Sequence, residues 1–266
     1  MTKLTNASHL RSLLKTIGPG LIFASSAIGT SHIVISTRAG AHHGMIFFWI
    51  ILAALLLKYP FFEFGPRYAN ATGHSLLKGY KEQGLWAIVL FMVIIGINMF
   101  AVTGAIAAVS AGLLSTVFNF GGMPVPILAG IIIAITLIIL LIGGYKGLDN
   151  LIKLISIILL ITVVTAFLAV LFKGPVQPAA DFQSPAILKG AGLALLISLL
   201  GWMPSGMEAS AMTSIWVIEK ERSTQYHPSL KESLLDFNLG YFFTIVLALM
   251  FLIIGFFIIY GTGFLL

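Results

Sequence analysis

Residues 18–41 read GPGLIFASSAIGTSHIVISTRAGA. The stretch is long and apolar enough to cross a bilayer, which takes about 20 residues. Yet Gly29, Thr30, Ser31 and His32 fall at its middle, where a spanning helix rarely carries polar groups. Residues 195–216, LLISLLGWMPSGMEASAMTSIW, repeat the pattern. Gly201, Pro204, Ser205 and Gly206 sit at the centre and Glu208 follows. Pro204 removes a backbone donor, and its ring presses on the carbonyl four residues earlier, so a helix kinks or breaks there. Either segment alone reads equally well as a kink packed through small residues.

Around these two segments the chain is that of a membrane protein. Of 266 residues, 15 are Lys or Arg and 9 are Asp or Glu, which makes 9% charged. A soluble domain carries about 25%. Hydrophobic residues reach 59% and the mean hydropathy is +1.05. Soluble enzymes, nucleic-acid binders and disordered scaffolds are poor readings of such a composition. Seven stretches are long enough to span, at roughly 17–37, 45–64, 86–114, 125–143, 151–172, 187–218 and 238–260. They lack the alternating ten-residue segments of barrel strands, so the expected fold is an all-α polytopic membrane bundle in contact with lipid. With no cysteine, disulfides and thiolate metal sites are impossible. No HxxxH, phosphate-loop or dinucleotide-binding pattern occurs, so neither an enzyme nor a resident cofactor is expected.

The basic residues set the orientation. With the N-terminus inside, the inner segments hold Lys3, Arg11, Lys15, Lys58, Arg67, Lys78, Lys81, Lys146, Lys153, Lys220, Arg222 and Lys231. Those 12 face three outside, Arg38, Lys173 and Lys189. The positive-inside rule therefore places the N-terminus in the cytoplasm, in the cell membrane, opposite to a seven-helix receptor. A signal peptide cleaved near Ala24–Ala27 is the weaker reading, because the apolar run continues past it and six more follow.

The two interrupted segments are the first and sixth spans, five apart. Many secondary transporters consist of two five-helix inverted repeats that each open with a broken helix, and cargo sits at the breaks. On that plan 1–266 is one transmembrane domain, with 1–173 the first repeat and 186–266 the start of the second. Carbonyls freed at the breaks can bind a cation.

Here a family resemblance enters. The chain carries GPG at 18–20, AGA at 39–41, ATG at 71–73, a glycine-rich turn at 143–147 leading into LDNLIKLI, and MP at 203–204. In order and spacing these motifs resemble the Nramp family of divalent-metal transporters. The resemblance implies the leucine-transporter-type fold, alternating access and a transported divalent metal ion. It also implies departures. The family's first-helix Asp-Pro-Gly-Asn corresponds to Gly29, Thr30, Ser31 and His32, and the His-Asn after its metal-binding methionine to Ser205-Gly206. That methionine itself is kept as Met203, and the two third-helix acids for proton movement fall on Ile106 and Val109.

The substrate-binding candidates are thus Gly29, His32, Leu200 and Met203, with His32 and Met203 as the metal ligands. A neutral imidazole and a thioether both suit softer transition metals. The alternative for His32 is a hydrogen bond to a backbone carbonyl at the break, and for Met203 plain packing. Glu208, the one acid well inside an apolar run, and Asn98 are the proton-coupling or polar-gate candidates. Thr103 is a weaker cavity candidate. Lys58, Glu63 and Arg67 read as one gate or anchor cluster, and His42 and His43 as a wet outer loop. The second repeat should continue to a tenth helix, so missing C-terminal helices or a second chain are expected to complete it. Cargo other than a metal, a small organic solute, stays open because no first-helix carboxylate remains. So does a truncated non-transporting subunit.

Overall fold

The computed structural model describes residues 15–118 and 122–263, with side chains described throughout except at 143–153 and 156. Lys3 and Arg11 of the inner segments, and the side chains of Lys146 and Lys153, lie outside the described residues. The described chain is helical without a strand. In order come α1 (Pro19–Ala27), a π-helical turn (Ser31–Ser36), α2 (Thr37–His43), α3 (Ile46–Thr72) and α4 (Leu76–Gln83). They are followed by α5 (Leu85–Phe118), α6 (Val125–Lys173), α7 (Gly190–Trp202), α8 (Glu208–Thr224) and α9 (Leu230–Ile259).

Four helical stretches are long and apolar enough to cross a membrane: Ile46–Thr72, Leu85–Phe118, Val125–Ile142 and Leu230–Ile259. The pair Pro19–Ala27 and Ser31–His43, bent by 52°, makes a fifth if counted as one broken span. The sixth expected span, 187–218, is divided into α7 and α8. The fourth and fifth, 125–143 and 151–172, run on as one 49-residue helix. The glycines at 143–147 were expected to turn the chain there. Glycine costs a helix about 1 kcal/mol, but without a proline nothing removes a backbone donor.

The chain divides into two compact units, Met1–Glu82 with Leu160–Leu266, and Gln83–Leu159. In the first unit α9 packs along α1, the π-helical turn, α2 and α3, and α3 packs on α8.

Glycines let α9 lie directly on the first segment. A Cβ on Gly20 would strike the Asp236 carbonyl, and one on Gly40 the Leu252 carbonyl. From the other side, a Cβ on Gly240 would strike the Gly20 carbonyl and one on Gly255 the Thr37 carbonyl. Lipid is as apolar as a leucine side chain, so helices in it associate through such close packing rather than through a hydrophobic drive. The GPG and AGA motifs are therefore docking points on either side of the break. Two buried clusters fill the rest: Phe47, Ile51, Leu55, Leu199, Met203 and Leu252 among others, and Phe23, Phe62, Phe237 and Tyr241. Tyr241 donates from its hydroxyl to the Leu55 carbonyl at 2.6 Å, tying α9 to α3.

In the second unit, α5 and the first part of α6 expose Trp86, Phe100, Leu141 and Ile142. Such a surface is that of a lipid-facing helix.

Candidate substrate site at the two helix breaks

α1 ends at Ala27, and the Gly29 amide turns back to the Ala27 carbonyl at 2.9 Å. The chain re-enters a helix through the wide Ser31–Ser36 turn, a geometry often found at functional sites. Open space surrounds Gly29; a Cβ there would meet nothing within 4 Å. Ser31, His32 and Ser36 all point inward and are buried. The His32 Nε2 lies 3.2 Å from the Thr244 carbonyl of α9. A carbonyl only accepts, so Nε2 carries the proton, and the single proton of the Ser31 hydroxyl is shared between Nδ1 at 3.0 Å and the Ala27 carbonyl at 3.3 Å. Both ring nitrogens thus face a partner. An ion could reach His32 only by displacing one of these partners. The hydrogen-bonded alternative expected a carbonyl of the break itself; the carbonyl here belongs to α9.

The second break is built differently. α7 ends at Trp202, and Met203 takes an extended conformation with a cis peptide bond to Pro204. The carbonyls at the end of α7 have no partner within their own helix. Lys58 of α3 supplies one: its ammonium donates to the Gly201 carbonyl at 3.0 Å and to the Met203 carbonyl at 2.8 Å. The positive charge also meets the negative end of the α7 dipole. Glu208 opens α8, and its carboxylate folds back onto Gly206, where a Cβ would collide with both oxygens. The buried Oε2 of Glu208 has no hydrogen-bond partner.

Ser36 joins the two breaks. Its hydroxyl lies 4.0 Å from the Met203 sulfur and 3.4 Å from the Ser31 carbonyl. Through Ser31 the chain of contacts reaches His32. Met203 is fully buried, packed in the cluster with Leu199. Leu200, by contrast, is 42% exposed, and Leu199 takes the inward place next to Met203. Asn98, half-buried, and Thr103, exposed, belong to the second unit.

Three other expectations change. Lys58, Glu63 and Arg67 do not form one cluster: Lys58 turns to the break, while Arg67 pairs with Glu63 one helical turn away. His43 is not a wet loop residue. It ends α2 buried, stacked on Phe47 with ring centroids 4.9 Å apart. His42 is half-buried beside it.

Asp236 was outside the expected seventh span, which began at 238. The structure starts that helix at Leu230, through a capping box in which Ser229 accepts from the Glu232 amide and Glu232 accepts from the Ser229 amide. Asp236 is thereby turned inward, only 4% exposed. Its carboxylate accepts the Gly18 amide at 2.9 Å and the Gly20 amide at 2.6 Å, capping the start of α1. Nearby, Lys15 lies 5.7 Å over the Tyr226 ring. The S-x-x-E pattern at 229–232 was the signal that could have placed Asp236 inside a helix.

Fold and site together define a polytopic helical membrane protein with a first segment and an α7–α8 segment broken at polar residues. No family model matches the chain. It is 40% identical over 271 residues to an uncharacterized protein of Pasteurella multocida (strain Pm70). The alignment takes in 99% of this chain and 61% of that relative, so the chain spans about three-fifths of the relative's length.

Proposed function

We propose that this chain carries the broken-helix part of a secondary transporter, which moves a cation across the membrane by alternating access. A divalent metal ion is the leading cargo. The observation that carries the reading is the meeting of the two breaks, where the Ser36 hydroxyl and the Met203 sulfur stand 4.0 Å apart. Polar groups at membrane depth are costly, and functional sites are where they persist. A thioether there favours softer transition metals over magnesium or calcium. The motif resemblance to the Nramp family supports the same cargo. Transport would proceed as the two broken segments rock against the remaining helices, without ATP.

The test is uptake of manganese, iron, cadmium and magnesium by the full-length protein in vesicles. Accumulation of a transition metal supports the reading, and no uptake of any of the four sinks it. A second reading, transport of a small organic solute, draws on Lys58: a positive charge already stands on the carbonyls that a cargo cation would use. Among the described residues, no three His, Asp or Glu side chains group to hold an ion.

The proposed orientation places the N-terminus in the cytoplasm of a cell-membrane protein. These 266 residues lack cysteine, so single cysteines placed among them report sidedness once any cysteine elsewhere in the full-length protein is replaced. Asp181→Cys should react with an impermeant maleimide in intact cells, and Lys15→Cys only after permeabilisation. The reverse pattern would overturn the orientation.

A further inference from the structure

Lys58 reaches from α3 to carbonyls 143 and 145 residues away in sequence. A lysine on a spanning helix ordinarily extends its stem toward the interface and leaves its charge in water. This one turns to a helix break. Among the described residues no carboxylate forms an ion pair with it; the pairs present are Arg67–Glu63, Lys78–Glu82, Arg222–Glu219 and His227–Glu221. Its partners are instead two neutral carbonyl oxygens at the negative end of α7. Backbone carbonyls at an interrupted helix are the ligands that monovalent cations take in membrane proteins, where they replace the ion's hydration shell. An ammonium group, which carries one positive charge and is about the size of a potassium ion, meets them in the same way.

We infer that the Gly201 and Met203 carbonyls form a monovalent-cation site whose resident occupant is the tethered ammonium of Lys58. The ammonium, at 3.0 Å and 2.8 Å from the two carbonyls, fills the place a dissolved ion would take, so an ion can enter only after Lys58 swings out. Removing the charge and keeping the stem, as in Lys58→Met, vacates the site for a free cation of similar size. This inference does not rest on the transport reading, because binding is read in detergent without any cargo movement.

The experiment compares thermal unfolding of the purified full-length protein in equal concentrations of potassium, sodium and choline chloride. Wild type should melt at one temperature in all three. Lys58→Met should melt lower in choline and regain about 3 °C or more in potassium or sodium. If the variant is recovered folded only when purified in potassium or sodium, that also supports the site. The inference is overturned if Lys58→Met melts alike in all three salts, if wild type shifts as much as the variant, or if the variant is recovered folded in none of them.

Discussion

At the first break the freed polar groups are absorbed locally and by one neighbour: Ser31 and His32 bond each other, and His32 reaches the Thr244 carbonyl of α9. At the second, the carbonyls of Gly201 and Met203 depend on a charge brought in from α3, and one Glu208 oxygen stays unpartnered. The first segment is also pressed backbone to backbone against α9 on either side of its break, through Gly20, Gly40, Gly240 and Gly255. Gly201, beside the second break, has open space around it. The contrast teaches that the two breaks are not symmetric devices. The first is stitched to α9 on both sides of its break. The second is pressed onto α3 past its break, where a Cβ on Gly65 would strike the Ser210 carbonyl, and at the break itself its carbonyls meet the Lys58 ammonium.

The largest expected effect tests the stitching. Gly20→Ala drives a Cβ into the Asp236 carbonyl, backbone that cannot rotate away, and should cost about 2–3 kcal/mol or prevent folding. Gly201→Ala meets nothing within 4 Å and should change the melting temperature little. Equal melting of the two variants would break the comparison. Next comes the cap on α1. Asp236→Asn keeps one acceptor oxygen but gives up a charged bond to an amide, and should cost about 2 kcal/mol. Earlier proteolysis near Lys15 than in wild type would report the loosened α1 end.

Smaller again is His32→Phe. It removes the bonds to Ser31 and Thr244, yet both partners have other local acceptors or donors, so about 1 kcal/mol is expected. His32→Gln should recover part of it. The smallest effect on stability belongs to Glu208→Gln, within about 0.5 kcal/mol, because one carboxylate oxygen already lacks a partner. Its readout is coupling. If Glu208 carries a proton, uptake driven by a pH gradient at fixed potential should be lost in Glu208→Gln, while uptake driven by the ion gradient persists. Equal gradient-driven uptake by both proteins would remove Glu208 from that role.

Both breaks were legible in the sequence because Gly29–His32 and Gly201–Gly206 interrupt otherwise apolar runs, and hydropathy makes such interruptions stand out. His32 stood out for the same reason, whereas Met203 was named through the family resemblance. What could not be read was which partner each polar group meets. The destination of Lys58 depends on how α3 packs against the end of α7, which no spacing along α3 encodes. Grouping it with Glu63 and Arg67 caught only the ordinary i,i+4 pair. Leu200, the substrate-binding candidate, is 42% exposed, and the leucine buried with Met203 is Leu199, because a break shifts the helical phase by an amount the sequence does not state. Asp236 was lost to a span boundary drawn by hydropathy alone, although the capping box before it marked the true helix start.

The central claim is that the two breaks make one transport site, and a double-mutant cycle on Ser36 and Met203 tests it most directly. Initial rates of cadmium uptake would be measured in vesicles for wild type, Ser36→Ala, Met203→Ala and the double variant. Residues that act on the same ion through one contact should couple by at least about 0.5 kcal/mol, so the double variant should be scarcely slower than Met203→Ala alone. If the two losses simply multiply, the breaks act independently, and the account of a shared site is contradicted.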